Sequence, residues 1–271
     1  MKVKDHFLSQ EIFEIKASKY DGILETYPKP RGNKLAEYYD SSEYISHQTE
    51  SKSLKDLVYN LVKSLMLKRK KSWILDYCNS GKILDVGAGT GDFLNTFEDK
   101  NWAKFAIEPS PKLQNTLFKK NIAVLANLDD FDENSFDVIT LWHSLEHISN
   151  LEQTLLSLKK VLKNDGVIFV AVPNYKSYDA KYYKNFWAAW DVPRHLWHFS
   201  RNGIKKIFRE YSLKCEEEKG LKFDSYYVSL LSEKYKAKGI VARSFYIGYL
   251  SNLKANRNNE FSSVLYVLKP F

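Results

Sequence analysis

The sequence is poor in cysteine and lacks any long apolar run. Its 271 residues include two cysteines, Cys78 and Cys215, which are far apart and in no metal-binding spacing. Two such thiols form neither a disulfide framework nor a zinc site, and they suit a reducing compartment. No stretch of about 18 apolar residues is present, so we expect no transmembrane segment. The N-terminal residues contain no apolar signal region, and we therefore expect a cytoplasmic protein.

Acidic residues are outnumbered by basic ones, and the formal charge is +8 at pH 7. A basic protein can bind nucleic acid, an anionic membrane surface or acidic substrates, but charge alone selects none of them. The densest basic run, residues 68–71, falls at the end of a predicted helix, where cations complement the helix dipole. The charge therefore indicates no particular partner, and the sequence does not indicate an oligomeric state.

The most informative stretch is KILDVGAGTGDF, residues 82–93. It begins with an apolar run typical of a buried parallel strand, which Asp85 interrupts near its end. Glycines follow at positions 87, 89 and 91. Glycine has no Cβ, so a ligand can lie against the backbone of a turn built this way. A helix predicted to begin near Gly91 would add the free N–H groups of its first turn.

A second acidic residue, Glu108, ends the next apolar run, AKFAIE. A carboxylate there can accept hydrogen bonds from both ribose hydroxyls of a nucleoside. The strand, Asp85, the G-x-G-x-G turn and Glu108 together resemble motif I of the class I S-adenosylmethionine-dependent methyltransferases. A nicotinamide-binding fingerprint would instead read G-x-G-x-x-G. The alternative is a tight structural turn that binds nothing.

The resemblance implies S-adenosylmethionine as the cofactor and S-adenosylhomocysteine as its product. It places Asp85 near the methionine amino group, Glu108 on the ribose, and the residues after strand 3 beside adenine. The cofactor residues expected from it are Asp85, Gly87, Ala88, Gly89, Gly91, Glu108, Pro109, Asn127, Leu128, Trp142 and His143.

The chain from about residue 53 to residue 215 alternates predicted strands and helices, as a βαβ series does. Strands are predicted at 82–86, 103–107, 122–126, 136–142 and 167–173, with later strands at 213–218 and 263–268. Helices are predicted over residues 50–75, from Ser110, from Asn150 and after a cap at Ser200. Residues 164–166 are predicted to end the helix that begins at Asn150. The resemblance implies an α/β, Rossmann-like fold: a seven-stranded, mostly parallel sheet in the order 3-2-1-4-5-7-6, flanked by helices, with strand 7 antiparallel.

Residues 1–49 are expected to form a small N-terminal extension, and residues 50–271 the methyltransferase domain. Within that domain we expect a lid insertion at 174–199 and a helical insertion at 224–256, the latter interrupted by Gly239 and Gly248.

The N-terminal extension is predicted to contain two short strands around Asp21-Gly22. It resembles the zinc-ribbon-like module that begins many bacterial methyltransferases of this type, but Ser18 and Asp21 stand about where a cysteine pair would be. Thiolates hold zinc in such modules. We therefore predict a metal-free remnant.

The segment after strand 4, LWHSLEHISN, resembles the W-H-x-L-E-H segment of a large, functionally mixed methyltransferase family. It also resembles the E-x-L-E-H segment of quinone-biosynthesis O-methyltransferases, in which carboxylates and a histidine are linked to a metal. Here His143 replaces the first glutamate. On a helix His143 and His147 would share a face, but the H-E-x-x-H zinc motif is absent. We expect no metal, with Glu146 and His147 holding the strand end and the cofactor loop together.

Three histidines are the predicted catalytic residues: His143, His195 and His198. The last two lie in NFWAAWDVPRHLWHFS, which resembles the D-x-P-x-H-x-x-H-F-S stretch that faces the substrate in the same family. Histidine suits proton removal from a hydroxyl or amine, because its pKa is near working pH. The alternative is that these histidines pack the lid.

These features predict a methyltransferase that acts on a small-molecule, sugar or lipid-linked acceptor at oxygen, nitrogen or carbon. A nucleic-acid acceptor is not expected, because the [DNS]-P-P-[YFW] motif is absent after strand 4. The alternative function is a non-catalytic or regulatory binding protein on a methyltransferase fold, which engages RNA or a protein partner.

Overall fold

The computed structural model describes residues 1–30, 33–39, 54–97, 100–236 and 239–271. The chain divides into two compact units. The first comprises residues 1–41, 143–151 and 170–267, and the second comprises residues 42–142, 152–169 and 268–271. The expected domain boundary at residue 49 lies outside the described residues. Within the described ranges, no helix is both long enough and apolar enough to cross a membrane.

The strands are, in chain order, β1 (Lys2–Lys4), β2 (Ile12–Ala17), β3 (Ile23–Tyr27), β4 (Gly81–Val86), β5 (Trp102–Ile107), β6 (Ala123–Leu125), β7 (Phe136–Trp142), β8 (Leu162–Pro173), β9 (Trp197–Phe199), β10 (Leu213–Gly220) and β11 (Ser263–Pro270). The α-helices are α1 (Asn33–Glu37), α2 (Leu54–Leu75), α3 (Pro111–Lys119), α4 (Leu151–Val161), α5 (Tyr178–Tyr183), α6 (Arg201–Glu210), α7 (Asp224–Tyr235) and α8 (Val241–Asn258).

The central sheet has seven strands in the order β10-β11-β8-β7-β4-β5-β6. Strand β4 pairs in parallel with β5 and with β7, and β5 pairs in parallel with β6. Its middle strands are apolar because both faces are covered, and Ile83, Leu84 and Val138 are fully buried. The predicted α/β, Rossmann-like fold with a seven-stranded, mostly parallel sheet in the order 3-2-1-4-5-7-6 is confirmed.

The α-helix predicted to begin near Gly91 is wrong for the described residues. The chain forms a single 3₁₀ turn, Leu94–Thr96, before β5 begins at Trp102. Asp92, in the interval between the two strands, forms ion pairs with Lys63 and Lys120 at 2.6 Å each. Among the described residues of this interval, no α-helix N-terminus stands behind the glycine turn.

Two further predictions about glycines are corrected. Residues 164–166 do not stop a helix: α4 ends at Val161, and β8 runs through Gly166, with Lys163 bonded to Asp137 of β7 at 2.7 Å. Gly248 does not interrupt the C-terminal helical region but lies inside α8. A Cβ there would come within 3.0 Å of the Tyr226 Cα atom. Glycine thus allows α8 to approach α7 closely.

Helix α2 agrees with the helix predicted over residues 50–75, of which 50–53 lie outside the described residues. The apolar residues that recur along this helix are not all buried, since Leu61 and Leu65 are 61% and 51% exposed.

A second, four-stranded sheet belongs to the first unit, in the order β1-β2-β3-β9. The predicted strands around Asp21-Gly22 are present as β2 and β3, which pair antiparallel. Ser18 donates a hydrogen bond to the Ile23 carbonyl, and Asp21 forms an ion pair with Lys206. Both side chains at the expected cysteine positions are therefore used by the fold.

The predicted lid contributes β9 to this small sheet, where β9 pairs antiparallel with β3. The lid side chains Trp187 and Trp190 lie in one buried apolar cluster with Val3 and Phe13 of the N-terminal strands. Burying large aromatic side chains is among the strongest contributions to folding. The N-terminal strands and the lid therefore share a core.

The turn between β2 and β3 meets the first turn of α6 at a glycine. Ser200 caps this helix by accepting a hydrogen bond from the Gly203 N–H, as predicted, and its hydroxyl donates to the Gly22 carbonyl at 2.7 Å. A Cβ on Gly203 would lie 2.4 Å from the Gly22 carbonyl oxygen.

We expect Gly203→Ala to lower the free energy of unfolding by about 1–3 kcal/mol, because two backbone segments must separate. The matched control is Asn202→Ala in the same helix turn, where the side chain is exposed and the change is expected to stay within about 0.5 kcal/mol. Urea unfolding of the full chain measures both. Equal effects of the two substitutions would contradict the close contact.

Candidate functional site

Asp85 lies near the end of β4 and is buried, with 3% of its surface exposed. Its Oδ1 accepts a 2.6 Å hydrogen bond from the Thr140 hydroxyl of β7. Burial raises the pKa of Asp85 to about 6 and outweighs the opposing effect of the Thr140 hydrogen bond. The protein thus keeps a carboxylate in a low-dielectric position, where a cationic ligand group would be attracted to it.

The glycines after β4 all have left-handed backbone conformations, with φ of 78° at Gly87, 56° at Gly89 and 73° at Gly91. Two of them differ in their surroundings. A Cβ on Gly91 would meet the Leu117 side chain at 2.4 Å, whereas a Cβ on Gly89 would meet nothing within 4 Å in the part of the chain that the structure describes. Gly91 therefore serves packing against α3, and Gly89 borders open space.

Glu108 follows β5 directly and is 7% exposed. Its Oε2 accepts a 2.8 Å hydrogen bond from the Gly89 N–H, and its Oε1 accepts a 2.9 Å hydrogen bond from the Ser110 N–H. A carboxylate oxygen can accept more than one hydrogen bond. Each oxygen therefore keeps capacity for a ligand hydroxyl while it organises the glycine turn.

The remaining predicted cofactor residues of the second unit stand after other strands of the sheet. Asn127 precedes the 3₁₀ turn Leu128–Asp130, and its N–H donates to Asp130 at 2.8 Å. Trp142 ends β7 with the Phe93 ring 5.3 Å away, and its buried indole N–H has no hydrogen-bond partner. Because parallel strands end at the same edge of a sheet, these residues and Asp85 follow one edge.

His143 belongs to the first unit and has a left-handed φ of 55°. Its Nε2 lies 3.1 Å from an Asp224 oxygen, and its Nδ1 lies 3.4 Å from a Glu146 oxygen. Burial lowers the pKa of His143, but the two carboxylates reverse this and raise it to about 9. An imidazole that is already protonated does not accept a proton, so this pairing disfavours a role as base. Asp224 begins α7, and no sequence motif indicated it.

His143 and His147 do not share a helix face, because residues 145–147 form a 3₁₀ turn after the left-handed His143. The Nδ1 of His147 lies 2.9 Å from the Tyr39 hydroxyl and 3.1 Å from the Arg194 carbonyl oxygen. Burial, with the nearby His195, lowers the pKa of His147 to about 4. His147 is therefore neutral at physiological pH.

His195 is the predicted catalytic histidine with the most suitable surroundings. Its Nδ1 lies 2.9 Å from the Ala189 carbonyl oxygen. Its Nε2 lies 3.9 Å from an oxygen of Glu146 and 3.9 Å from an oxygen of Asp191. One ring nitrogen is thus anchored to the backbone, and the other faces two carboxylates.

His198 lies in β9 and is 4% exposed. Its Nε2 is 2.9 Å from the Thr26 hydroxyl of β3, and its ring lies against Trp190 at 4.9 Å. Burial holds the pKa of His198 well below its usual value. These contacts favour packing of the lid, the alternative considered for this residue, although its predicted catalytic role stays untested.

Comparison with known proteins identifies the family. Residues 50–218 match a family model described as a methyltransferase domain. An uncharacterized protein of Methanocaldococcus jannaschii is 28% identical over 128 residues, which are 46% of this chain and 56% of that protein. The ubiquinone/menaquinone biosynthesis C-methyltransferase UbiE of Burkholderia mallei is 24% identical over 150 residues, which are 48% of this chain and 62% of that protein. The chain thus spans less than two thirds of either relative.

Solved structures share the fold. Geranyl diphosphate C-methyltransferase from Streptomyces coelicolor A3(2), in complex with Mg²⁺, geranyl diphosphate and S-adenosylhomocysteine, has a TM-score of 0.56 at 13% identity, with 83% of this chain and 86% of that chain covered. A possible histamine N-methyltransferase from Thermotoga maritima has a TM-score of 0.54 at 15% identity, with 87% and 99% covered. Sequence identities this low show a shared fold and no shared function. Since the family model matches more than half of its residues, the chain belongs to the methyltransferase-domain family, among the class I S-adenosylmethionine-dependent methyltransferases.

Proposed function

We propose that this protein transfers the methyl group of S-adenosylmethionine to a small-molecule, sugar or lipid-linked acceptor at oxygen, nitrogen or carbon. The observation that carries the proposal is the space at Gly89. A Cβ there would meet no atom of the described residues within 4 Å, although the Gly89 N–H is fixed by the buried carboxylate of Glu108. An open position beside an ordered acidic residue is what a nucleoside ligand requires.

The residues of the second unit fit this cofactor. Glu108 would accept hydrogen bonds from the ribose hydroxyls, and Asp85 would accept from the methionine amino group. Asn127 and Leu128 would stand beside adenine, and the unpartnered indole N–H of Trp142 is a further donor. When bound, S-adenosylmethionine supplies an electrophilic methyl group on a sulfonium sulfur. The turn needs no basic residue, because the cofactor carries no phosphate.

The residues of the first unit are the candidates for handling the acceptor. Methyl transfer requires mainly that the nucleophile is held in line with the methyl group. A base is required only where the nucleophile must lose a proton. Of the predicted histidines, His195 suits that role best. Its Nε2 lies 3.9 Å from oxygens of Glu146 and Asp191, and this distance is too long for a hydrogen bond. His143, fixed between Asp224 and Glu146, suits orientation of the acceptor.

The two glycines after β4 give a direct test by titration calorimetry with S-adenosylhomocysteine. We expect Gly89→Ala to weaken binding at least about tenfold, because the new methyl group enters the ligand's space, while the left-handed alanine costs about 1–2 kcal/mol of stability. Gly91→Ala, the matched variant, should lose stability through its clash with Leu117.

Tight binding by Gly89→Ala would contradict the assigned cofactor position. A wild-type protein that binds neither S-adenosylmethionine nor S-adenosylhomocysteine, yet binds RNA in a salt-dependent way, would instead favour the non-catalytic alternative.

The raised pKa of Asp85 predicts a pH dependence of cofactor binding. As pH falls through about 6, the carboxylate becomes protonated and loses its attraction for the methionine ammonium group. We therefore expect the dissociation constant of S-adenosylhomocysteine to rise between pH 7.5 and pH 5. Asp85→Asn, which cannot titrate, should bind weakly at every pH and lack this component. An unchanged pH profile in the variant would show that another group is responsible.

A further inference from the structure

Three metal-ligating side chains converge in the first unit, two from the segment after β7 and one from the lid. Glu146, His147 and His195 each offer one ligand atom, and these atoms all lie within 4.8 Å of one another. Two imidazoles and one carboxylate are a donor set typical of zinc and of non-haem iron. We propose that these three residues bind one divalent transition-metal ion.

Glu146 is the first observation that carries the proposal. Its side chain is 1% exposed, and neither carboxylate oxygen has a hydrogen-bond partner among the described residues. The Nδ1 of His143 makes a charge contact with Oε1 at 3.4 Å, and this contact does not reach the other oxygen. Leaving a buried carboxylate without hydrogen bonds is costly, and native proteins pair such groups or give them a metal ion. A cation between the ligands would supply what the protein does not.

The orientation of the two histidines is the second observation. The Nδ1 of His195 lies 2.9 Å from the Ala189 carbonyl oxygen, and the Nδ1 of His147 lies 3.1 Å from the Arg194 carbonyl oxygen. A carbonyl only accepts, so in His195 the proton is on Nδ1 and the lone pair is on Nε2. The Nδ1 of His147 also lies 2.9 Å from the Tyr39 hydroxyl, so backbone and side chain together fix this ring. Backbone carbonyls hold metal-bound imidazoles in the way that Ala189 holds His195. His195 therefore offers Nε2 as its ligand atom.

The distances from His195 to its carboxylate neighbours also favour a bound metal ion over a proton shared between the side chains. The 3.9 Å between His195 Nε2 and Glu146 Oε1 is too long for a hydrogen bond. Two ligand atoms bonded to one zinc ion at about 2.1 Å lie about 3.0–3.5 Å apart, so this pair must close by a few tenths of an ångström, and any pair near the 4.8 Å limit must close by more. A protonated His195 between Glu146 and Asp191 would hydrogen-bond to neither, since Asp191 is also 3.9 Å away and already accepts from Arg194.

The ligands are held by rigid surroundings. Arg194, whose carbonyl orients His147, is buried and forms ion pairs with Asp5 at 3.0 Å and Asp191 at 2.6 Å. The backbone N–H of Leu196 donates to the Glu146 carbonyl at 2.8 Å, so the segments that bear the ligands are joined directly. A preformed site of this kind loses little flexibility when it binds an ion.

Three protein ligands leave a coordination position for water or for an oxygen of the acceptor. An ion there would lower the pKa of a bound hydroxyl and so favour an oxygen nucleophile. It would do this in place of His195 as the base, because a metal-bound Nε2 cannot accept a proton. This last step depends on the proposed methyltransferase function, whereas metal binding itself does not. The inference departs from the expectation of no metal, which considered only the segment after strand 4. His195 comes from a distant part of the chain.

The test is calorimetric titration of Zn²⁺ into the untagged full chain after treatment with a chelator. We expect one ion per chain for the wild type, and an affinity lower by at least about 100-fold for Glu146→Gln and for His195→Gln. His6→Gln is the matched control, because it removes an imidazole of the same unit that stacks on Tyr235 outside the cluster. It should bind Zn²⁺ as the wild type does.

A second measurement separates lost binding from lost folding. Glu146→Gln keeps the shape of the side chain but loses its charge contact with His143, so each protein is compared with its own melting temperature without metal. Added Zn²⁺ should raise the melting temperature of the wild type but not of this variant. Co²⁺ should give visible ligand-field absorption with the wild type only.

The proposal is overturned if the wild type binds neither ion, or if Glu146→Gln and His195→Gln bind Zn²⁺ as tightly as the wild type. Binding of S-adenosylhomocysteine, measured on the same samples, keeps the two proposals apart. Zn²⁺ binding without cofactor binding would refute the methyltransferase function alone. Cofactor binding without Zn²⁺ binding would refute the metal site alone.

Discussion

The carboxylate of Glu108 is the constraint on which the cofactor half of the molecule depends. Each of its oxygens accepts one backbone hydrogen bond, from Gly89 at 2.8 Å and from Ser110 at 2.9 Å. The bond from Gly89 ties the loop after β4 to the loop after β5, and the bond from Ser110 holds the carboxylate within its own loop; the two strands are parallel neighbours. Such charge-assisted bonds are strong when the anion is buried. One side chain therefore sets the shape of the glycine turn, and under the proposed function the same group would accept hydrogen bonds from a ribose.

In the first unit, a buried arginine organises its surroundings as Glu108 does in the second unit. Arg194 is 1% exposed and is neutralised by Asp5 of the N-terminal segment and by Asp191 of the lid. Removing one partner from such a group is strongly destabilising, by about 3–5 kcal/mol, because a charge is left buried without compensation. The same residue fixes His147 through its carbonyl oxygen. The N-terminal strands therefore support the histidine-bearing segment as well as covering it.

Local signals in the sequence were enough to predict most of the fold. The apolar run before Asp85, the helix starts after Ser110 and Ser200 and the period of α4 depend on neighbours along the chain, and the structure has those elements, although only Ser200 caps its helix with a side-chain hydrogen bond. The sheet order came from the family resemblance and is confirmed. In place of the helix expected after Gly91, the described residues form a 3₁₀ turn, and Asp92 beside it pairs with Lys63 and Lys120, contacts from other elements that local periodicity does not show.

The candidate site likewise contains residues that could be predicted from the sequence and contacts that could not. The cofactor residues follow strand ends and could be named from the motif, although their roles stay predictions. The pairing of His143 with Asp224, and the convergence of His195 on Glu146, join residues that are distant in the sequence. Only the tertiary structure brings them together, so composition and spacing could not show that His143 is held between two carboxylates.

The most direct test of the central claim is calorimetric titration of S-adenosylhomocysteine into the wild type, Glu108→Ala and Glu133→Ala. The last variant removes an equal charge from an exposed position of the same unit. Hydrogen bonds to a charged group contribute about 1.5–3 kcal/mol, so Glu108→Ala should weaken binding about 10- to 100-fold, with Glu133→Ala unchanged. Absence of binding by the folded wild type, or equal binding by all three proteins, would contradict the assignment of Glu108 and of the glycine turn to the cofactor.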